Sequence, residues 1–157
     1  MTTLTSWREK LERVQEPKIV RIPPKMVPRF GPGRMLIPKP LDVDALVRTV
    51  KRGKLVTQSA IRERLARDFQ ADVTCPITTG IFVRIVAGTA EEDRHLGKKQ
   101  VTPYWRVIRD DGGLNPKFPG GAEAQAKLLR QEGHRVELGK GSRSPRVTGF
   151  EQRLASL

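Results

Sequence analysis

The sequence predicts a mainly α-helical domain with a small β-hairpin, organised around two helices joined by a short connection. Apolar residues recur at helical spacing in three consecutive segments between Leu41 and Val86. A fourth helical segment opens after Gly120-Gly121 and stops at Gly133. Between them, Tyr104–Ile108 has strand character and runs into the turn sequence Asp110-Asp111-Gly112-Gly113.

Each element follows from its residues. Residues 5–16 (TSWREKLERVQE) predict a short charged helix around Trp7, Leu11 and Val14. Pro17–Pro40 contains seven of the twelve prolines, six basic residues and no acid. Proline at that density opposes both helices and strand ladders, so an extended basic arm is expected. Its Ile19, Val20, Ile22, Phe30 and Leu36 are too apolar for a free linker, and predict that the arm wraps a surface, its own domain's or a partner's. In 41–51 apolar groups recur at 43, 46, 47 and 50, a helix ending before Gly53. Thr57 is placed to cap a second helix, QSAIRERLARDFQ, through Ile61, Leu65 and Phe69. Pro76 suits a first helical turn, opening a third helix through Ile77, Ile81, Phe82, Ile85 and Val86. The second and third helices resemble a helix-turn-helix, whose second helix enters the major groove. EEDRHLGKKQ is expected to be an exposed loop and GKGSRSPR a flexible basic tail. Gly133 suits a helix C-terminus.

The 157 residues suffice for one domain with extensions. Thirty Lys and Arg against seventeen Asp and Glu give a net charge of +13, which points to a polyanionic partner. No apolar run approaches the roughly 20 residues of a membrane span, so no membrane association is expected. The N-terminus carries acids and no apolar run of the secretory type. A lone Cys75 cannot form an internal disulfide or a cysteine-based zinc site, and His95 and His134 lack metal-ligand spacing. No metal and no cofactor are expected, and a reducing cytoplasm is the expected location, with nucleoid association if the protein is bacterial.

Residues 101–136 (VTPYWRVIRDDGGLNPKFPGGAEAQAKLLRQEGHRV) carry a pattern of fixed offsets: Pro103, Arg106, Val107, Ile108, Gly112, Leu114, Phe118, Gly120, Gly121, Leu128, Leu129, Glu132 and Gly133. This resembles the C-terminal DNA-binding domain of alkylguanine-DNA alkyltransferases and the alkyltransferase-like proteins. Upstream, GKLVTQSAIRERLA resembles the start of that family's helix-turn-helix, and the similarity spans about residues 41–137. It implies a winged-helix/helix-turn-helix-type DNA-binding domain over 41–137, flanked by a basic proline-rich extension, 1–40, and a basic tail, 138–157.

Departures from the pattern matter as much as matches. The family's acceptor cysteine is replaced by Tyr104 and its activating histidine by Trp105. Alkyl transfer needs a thiolate, which neither phenol nor indole replaces near neutral pH, so no enzymatic activity is expected. In this the chain resembles the non-catalytic alkyltransferase-like branch most. Gln58 stands where the family has a tyrosine that helps extrude the nucleotide, and Gly80 where it has an intercalating arginine; Arg84, one turn on, is the candidate substitute.

The resemblance therefore implies DNA contact by Thr57, Gln58, Thr78, Thr79 and Arg84. It implies a pocket at Tyr104, Trp105, Gly120 and Gly121, and structural roles for Pro103, Arg106 and Glu132. Two roles stay open for Tyr104 and Trp105: an aromatic platform that stacks on a base, or core filling of a disused pocket. Cys75 is expected to be a small half-buried residue, and His134 to lie at the surface. The expected partner is double-stranded DNA, bound by a monomer in DNA damage recognition or repair signalling, with repair factors as further partners. The alternative is a scaffold whose basic arm binds RNA, a ribosome or another protein.

Overall fold

A computed structural model describes residues 6–157, so the expected helix start at Thr5 lies outside the described residues. The chain order is α1 (Trp7–Leu11), β1 (Lys18–Arg21), a 3-10 turn (Pro24–Met26), α2 (Val27–Phe30), β2 (Arg34–Ile37), α3 (Pro40–Arg48), β3 (Val56–Thr57), α4 (Gln58–Asp68), β4 (Val73–Thr74) and α5 (Pro76–His95). A 3-10 turn (Tyr104–Arg106) follows, then β5 (Val107–Ile108), α6 (Gly121–Gln131), β6 (Val136–Glu137), β7 (Arg146–Val147) and a last 3-10 turn (Phe150–Arg153). The fold is mostly helical with small sheets, as the sequence predicts.

The helices start where their chemistry allows. The Thr57 hydroxyl accepts the Ala60 N–H and so caps α4. Pro40 and Pro76 occupy first-turn positions of α3 and α5, where no N–H is needed. Gly120 enters α6 in the left-handed region at φ 76°, a conformation glycine adopts without a Cβ clash.

The segment expected as an extended arm is instead a folded hairpin. β1 pairs antiparallel with β2, and β2 pairs in parallel with β4, immediately before α5. Prolines do not block this ladder because both strands are free of them; they fall in the connecting turn and at the strand ends. Leu36 of β2 is fully buried in the main core with Val43 and Val47 of α3, Ile61 of α4 and Val83 of α5. Ile22 and Met35 pack on Cys75, which is buried beneath the hairpin.

The tail is also folded. Leu55 N–H donates to Arg153 O (2.9 Å) and Ala155 N–H to Leu55 O (2.8 Å), while Val147 N–H donates to Gly112 O (2.9 Å). Val147 and Phe150 join Leu55, Ile108, Leu114 and Leu129 in a second core cluster. Basic residues of the tail sit on turns around these apolar anchors, which a charge-based reading misses.

Two further expectations shift. α5 runs to His95, through the start of the expected loop, because Glu91, Glu92 and Asp93 each find a partner there. Residues Tyr104–Arg106 form a 3-10 turn, and strand pairing starts only at Val107, where β5 joins β3 in parallel. Leu36→Ala should cost about 2–5 kcal/mol, as for other large-to-small core changes, measured by urea unfolding. Val14→Ala, at an exposed site, should stay within about 0.5 kcal/mol.

Candidate nucleic-acid interface

α4 and α5, joined by the short β4 connection, present the surface to which the sequence assigned contacts. Thr57 is half-buried and its hydroxyl is occupied by capping; Gln58 is half-buried in the first turn of α4. Beside them the Ser59 hydroxyl donates to Asp110, and Arg62 donates to Ser59 Oγ (2.9 Å).

On α5 the expected contacts separate. Arg84 is exposed and available. Thr79 is fully buried, with its hydroxyl donating to Cys75 O (2.7 Å), so it cannot contact DNA; Thr78 is half-buried and turns back to the same carbonyl. The buried stripe is Thr79, Val83, Val86, Ala87 and Ala90, which rotates the helix away from the phase read in the sequence. Ile77 and Ile81, read there as core, are 62% and 47% exposed. Their spacing could not reveal this, because the same helix also offers a better packed stripe of small residues. From Val73 to Ala90 there is no acid. Lys10 and Arg13, from the N-terminal segment, border a recess beside Ile81 and add positive charge.

The aromatic pair does not form an open pocket. Pro103 is buried, and Tyr104 is 1% exposed, edge-on to Trp105 and Phe118 at ring-centroid distances of 5.4 and 5.2 Å. The phenol donates to Glu91 Oε1 (2.8 Å). Burial, with Glu91 as a second cause, pushes the phenol pKa well above its ordinary value. Tyr104 therefore has neither a free ring face for a base nor an accessible oxygen nucleophile. Gly120 borders a recess of about 410 Å³ between α5 and α6, with Glu91, Arg94 and Lys127, but Tyr104, Trp105 and Gly121 do not line it. Buried Tyr104 and exposed Gly120 therefore do not share that recess.

Arg106 and Glu132 form a bidentate pair at 2.9 and 2.7 Å, and the same guanidinium donates to Val50 O. This ties the Tyr104–Arg106 turn to the end of α6 and the end of α3. Burial raises the Glu132 pKa, but the bidentate Arg106 outweighs it, so the carboxyl lies below its usual value. His134, expected at the surface, is 7% exposed, and its Nε2 is buried without a hydrogen-bond partner. Val147 and Phe150 of the tail pack with Leu129 of α6, and Thr148 N–H donates to Arg135 O (2.9 Å), so the folded tail closes over this end of α6, which the surface assignment missed. Burial first, and then Arg153, lower the His134 pKa.

With this geometry in place, the chain has the alkyltransferase-like fold, a helix-turn-helix domain with small sheets. Among solved structures it is similar to S. pombe Atl1, determined in complex with damaged DNA containing O6-carboxymethylguanine, with a TM-score of 0.52 and 18% identity, covering 75% of this chain and 94% of that one. The sequence matches no protein-family model and no curated protein.

Arg106→Ala should destabilise by about 3–5 kcal/mol, the usual cost of leaving one member of a buried ion pair unpaired. The pair's contribution is present above the unfolded glutamate pKa of about 4.3 and is lost as pH falls through the lower folded value. His134 acts in a higher window. Below about 6.5 the unfolded histidine takes up a proton that the folded one resists, so stability falls with falling pH. Urea midpoints measured from pH 7.5 down to 5.5 should decline in the parent, and His134→Phe should remove that part of the decline.

Proposed function

We propose that the protein is a non-enzymatic, alkyltransferase-like DNA-binding protein that docks on duplex DNA through α4 and α5 and serves damage recognition. The observation that carries this is the helix pair itself, set in the fold shared with DNA-bound Atl1, with no acid in the first four turns of α5. Lys and Arg supply sequence-independent affinity for phosphates, and Gln58, Thr78 and Arg84 are the remaining side chains for groove or backbone contact.

Damage recognition proceeds here without alkyl transfer. The sole cysteine is buried under the hairpin, and the Tyr104 phenol is buried and held by Glu91. With that ring in the core, a lesion is sensed through the altered deformability of the duplex instead of by stacking on Tyr104. Ile77 and Ile81 are suited to an unstacked step, because apolar side chains wedge into kinked grooves. The protein acts as a monomer in a reducing, nucleic-acid-containing compartment, with repair factors as its protein partners.

The exposed Ile77–Ile81 face also favours a second reading, a scaffold that binds a protein or ribonucleoprotein. A pull-down under nuclease treatment separates the two: repair factors support the first, ribosomal or other ribonucleoprotein components the second.

Anisotropy with labelled duplex should give a log–log salt slope near −4.5 if about five phosphates are neutralised, and Arg84→Ala should flatten it by about 0.9. Incubation with DNA carrying labelled alkylguanine should leave no covalent label on the protein. Label on Cys75 or Tyr104 would refute the non-enzymatic assignment.

A further inference from the structure

The β1–β2 hairpin lies outside the helix-turn-helix and carries an unbalanced charge arrangement. Arg21 and Arg34 are directly opposite one another in the antiparallel register, and both are exposed. Like charges at directly opposed positions destabilise a ladder. Among the described residues no ion pair offsets them: neither guanidinium lies within 4.0 Å of a carboxylate. The nearest acid, Asp72, accepts the backbone N–H of Arg34 (2.8 Å), and the Arg34 guanidinium is steadied by Gln70 O (3.3 Å). Between Pro17 and Leu41 there is no Asp or Glu at all.

The two arginines border the same concavity, about 790 Å³, whose other walls include Ile19, Pro24, Val27 and Pro32. A cationic rim on an apolar wall fits an anion next to a C–H surface, as a phosphate is next to the C–H face of its deoxyribose. The location narrows the ligand further. β2 pairs with β4, which leads straight into α5, and Ile22 and Met35 pack on Cys75 at the N-terminus of that helix. Phe30, at the end of α2, borders a recess with Ser59 and Arg62 of α4. The hairpin is thus packed against the start of α5 and lies beside α4.

We propose that the hairpin is a wing that grips the phosphodiester backbone of the duplex bound by α4 and α5, with Arg21 and Arg34 straddling phosphate. This rests on the DNA-binding role proposed above and adds a contact to it. The DNA phosphate is the missing counter-ion of the arginine pair. Binding then relieves the repulsion that the free protein carries.

The test uses full-length protein and one labelled duplex, titrated between 50 and 200 mM salt. Arg21→Gln/Arg34→Gln is compared with Lys140→Gln/Arg143→Gln, which removes the same charge from the C-terminal tail. Loss of two phosphate contacts should flatten the slope by about 1.8, so that the salt penalty over this range shrinks by about tenfold. The tail variant should change the slope by much less. The hairpin variant should melt at the same temperature as the parent or higher, because it removes a repulsion; this separates lost binding from lost folding. An unchanged slope in the hairpin variant, or equal flattening in both variants, overturns the wing while leaving DNA binding standing. A parent protein that does not bind duplex at all overturns both.

Discussion

The hydrogen bond from the buried Tyr104 phenol to Glu91 is the contact around which the domain is arranged. It forms only because α5 continues beyond Gly88 for nearly two more turns, bringing Glu91 over the aromatic cluster of Tyr104, Trp105 and Phe118. The same turns recruit α1. Glu92 accepts the backbone N–H groups of Trp7 (2.7 Å) and Arg8 (3.2 Å), and Asp93 pairs with Arg8 (2.6 Å) and Lys98 (3.1 Å). Gly88 is required at the crossing, where any Cβ would run into the Trp7 indole. Three consecutive acids are therefore used internally, and Arg94 completes the set by pairing with Glu91 (2.7 Å). Burial opposes the charge on Asp93, but Arg8 and Lys98 prevail and keep its pKa below the ordinary value.

This internal use of acids shapes the exterior. Acids that would offset the positive surface near α5 are drawn into the α1–α5 junction, while the first four turns of α5 and the whole hairpin are left without any. Tyr104 and Phe118 are buried in the main core and the half-buried Trp105 packs edge-on to Tyr104, so the cluster serves packing. Under the proposed reading, the surface of α4, α5 and the hairpin carries the binding, without a reactive side chain at Tyr104.

Much of this was legible in the sequence, and its gaps have physical causes. Periodicity gave α3 and α4, and the Thr57 cap and the Gly120-Gly121 and Gly133 positions gave the ends of α4 and α6. Arg106 and Glu132 were placed by motif, and they meet. Composition misled where it stood in for pairing: seven prolines hid a hairpin whose strands contain none, and a run of Lys, Gly and Ser hid a tail anchored by Val147 and Phe150. The phase of α5 was misread because Ile77 and Ile81 carry more apolar bulk than Thr79, Val83 and Ala87, which close packing nevertheless selects. No local signal marks the burial of His134, which depends on chain elements on either side of it folding back.

Tyr104 is the only tyrosine, so its ionisation can be followed in the whole protein by ultraviolet difference absorbance. If Tyr104 is sealed beneath α5 and bonded to Glu91, phenolate should appear only together with alkaline unfolding, monitored in parallel by circular dichroism. Added duplex containing an alkylated guanine should not change that behaviour. Reversible ionisation near the ordinary value of about 10 in the folded protein would contradict the account, because it would place the ring in an open, water-accessible pocket.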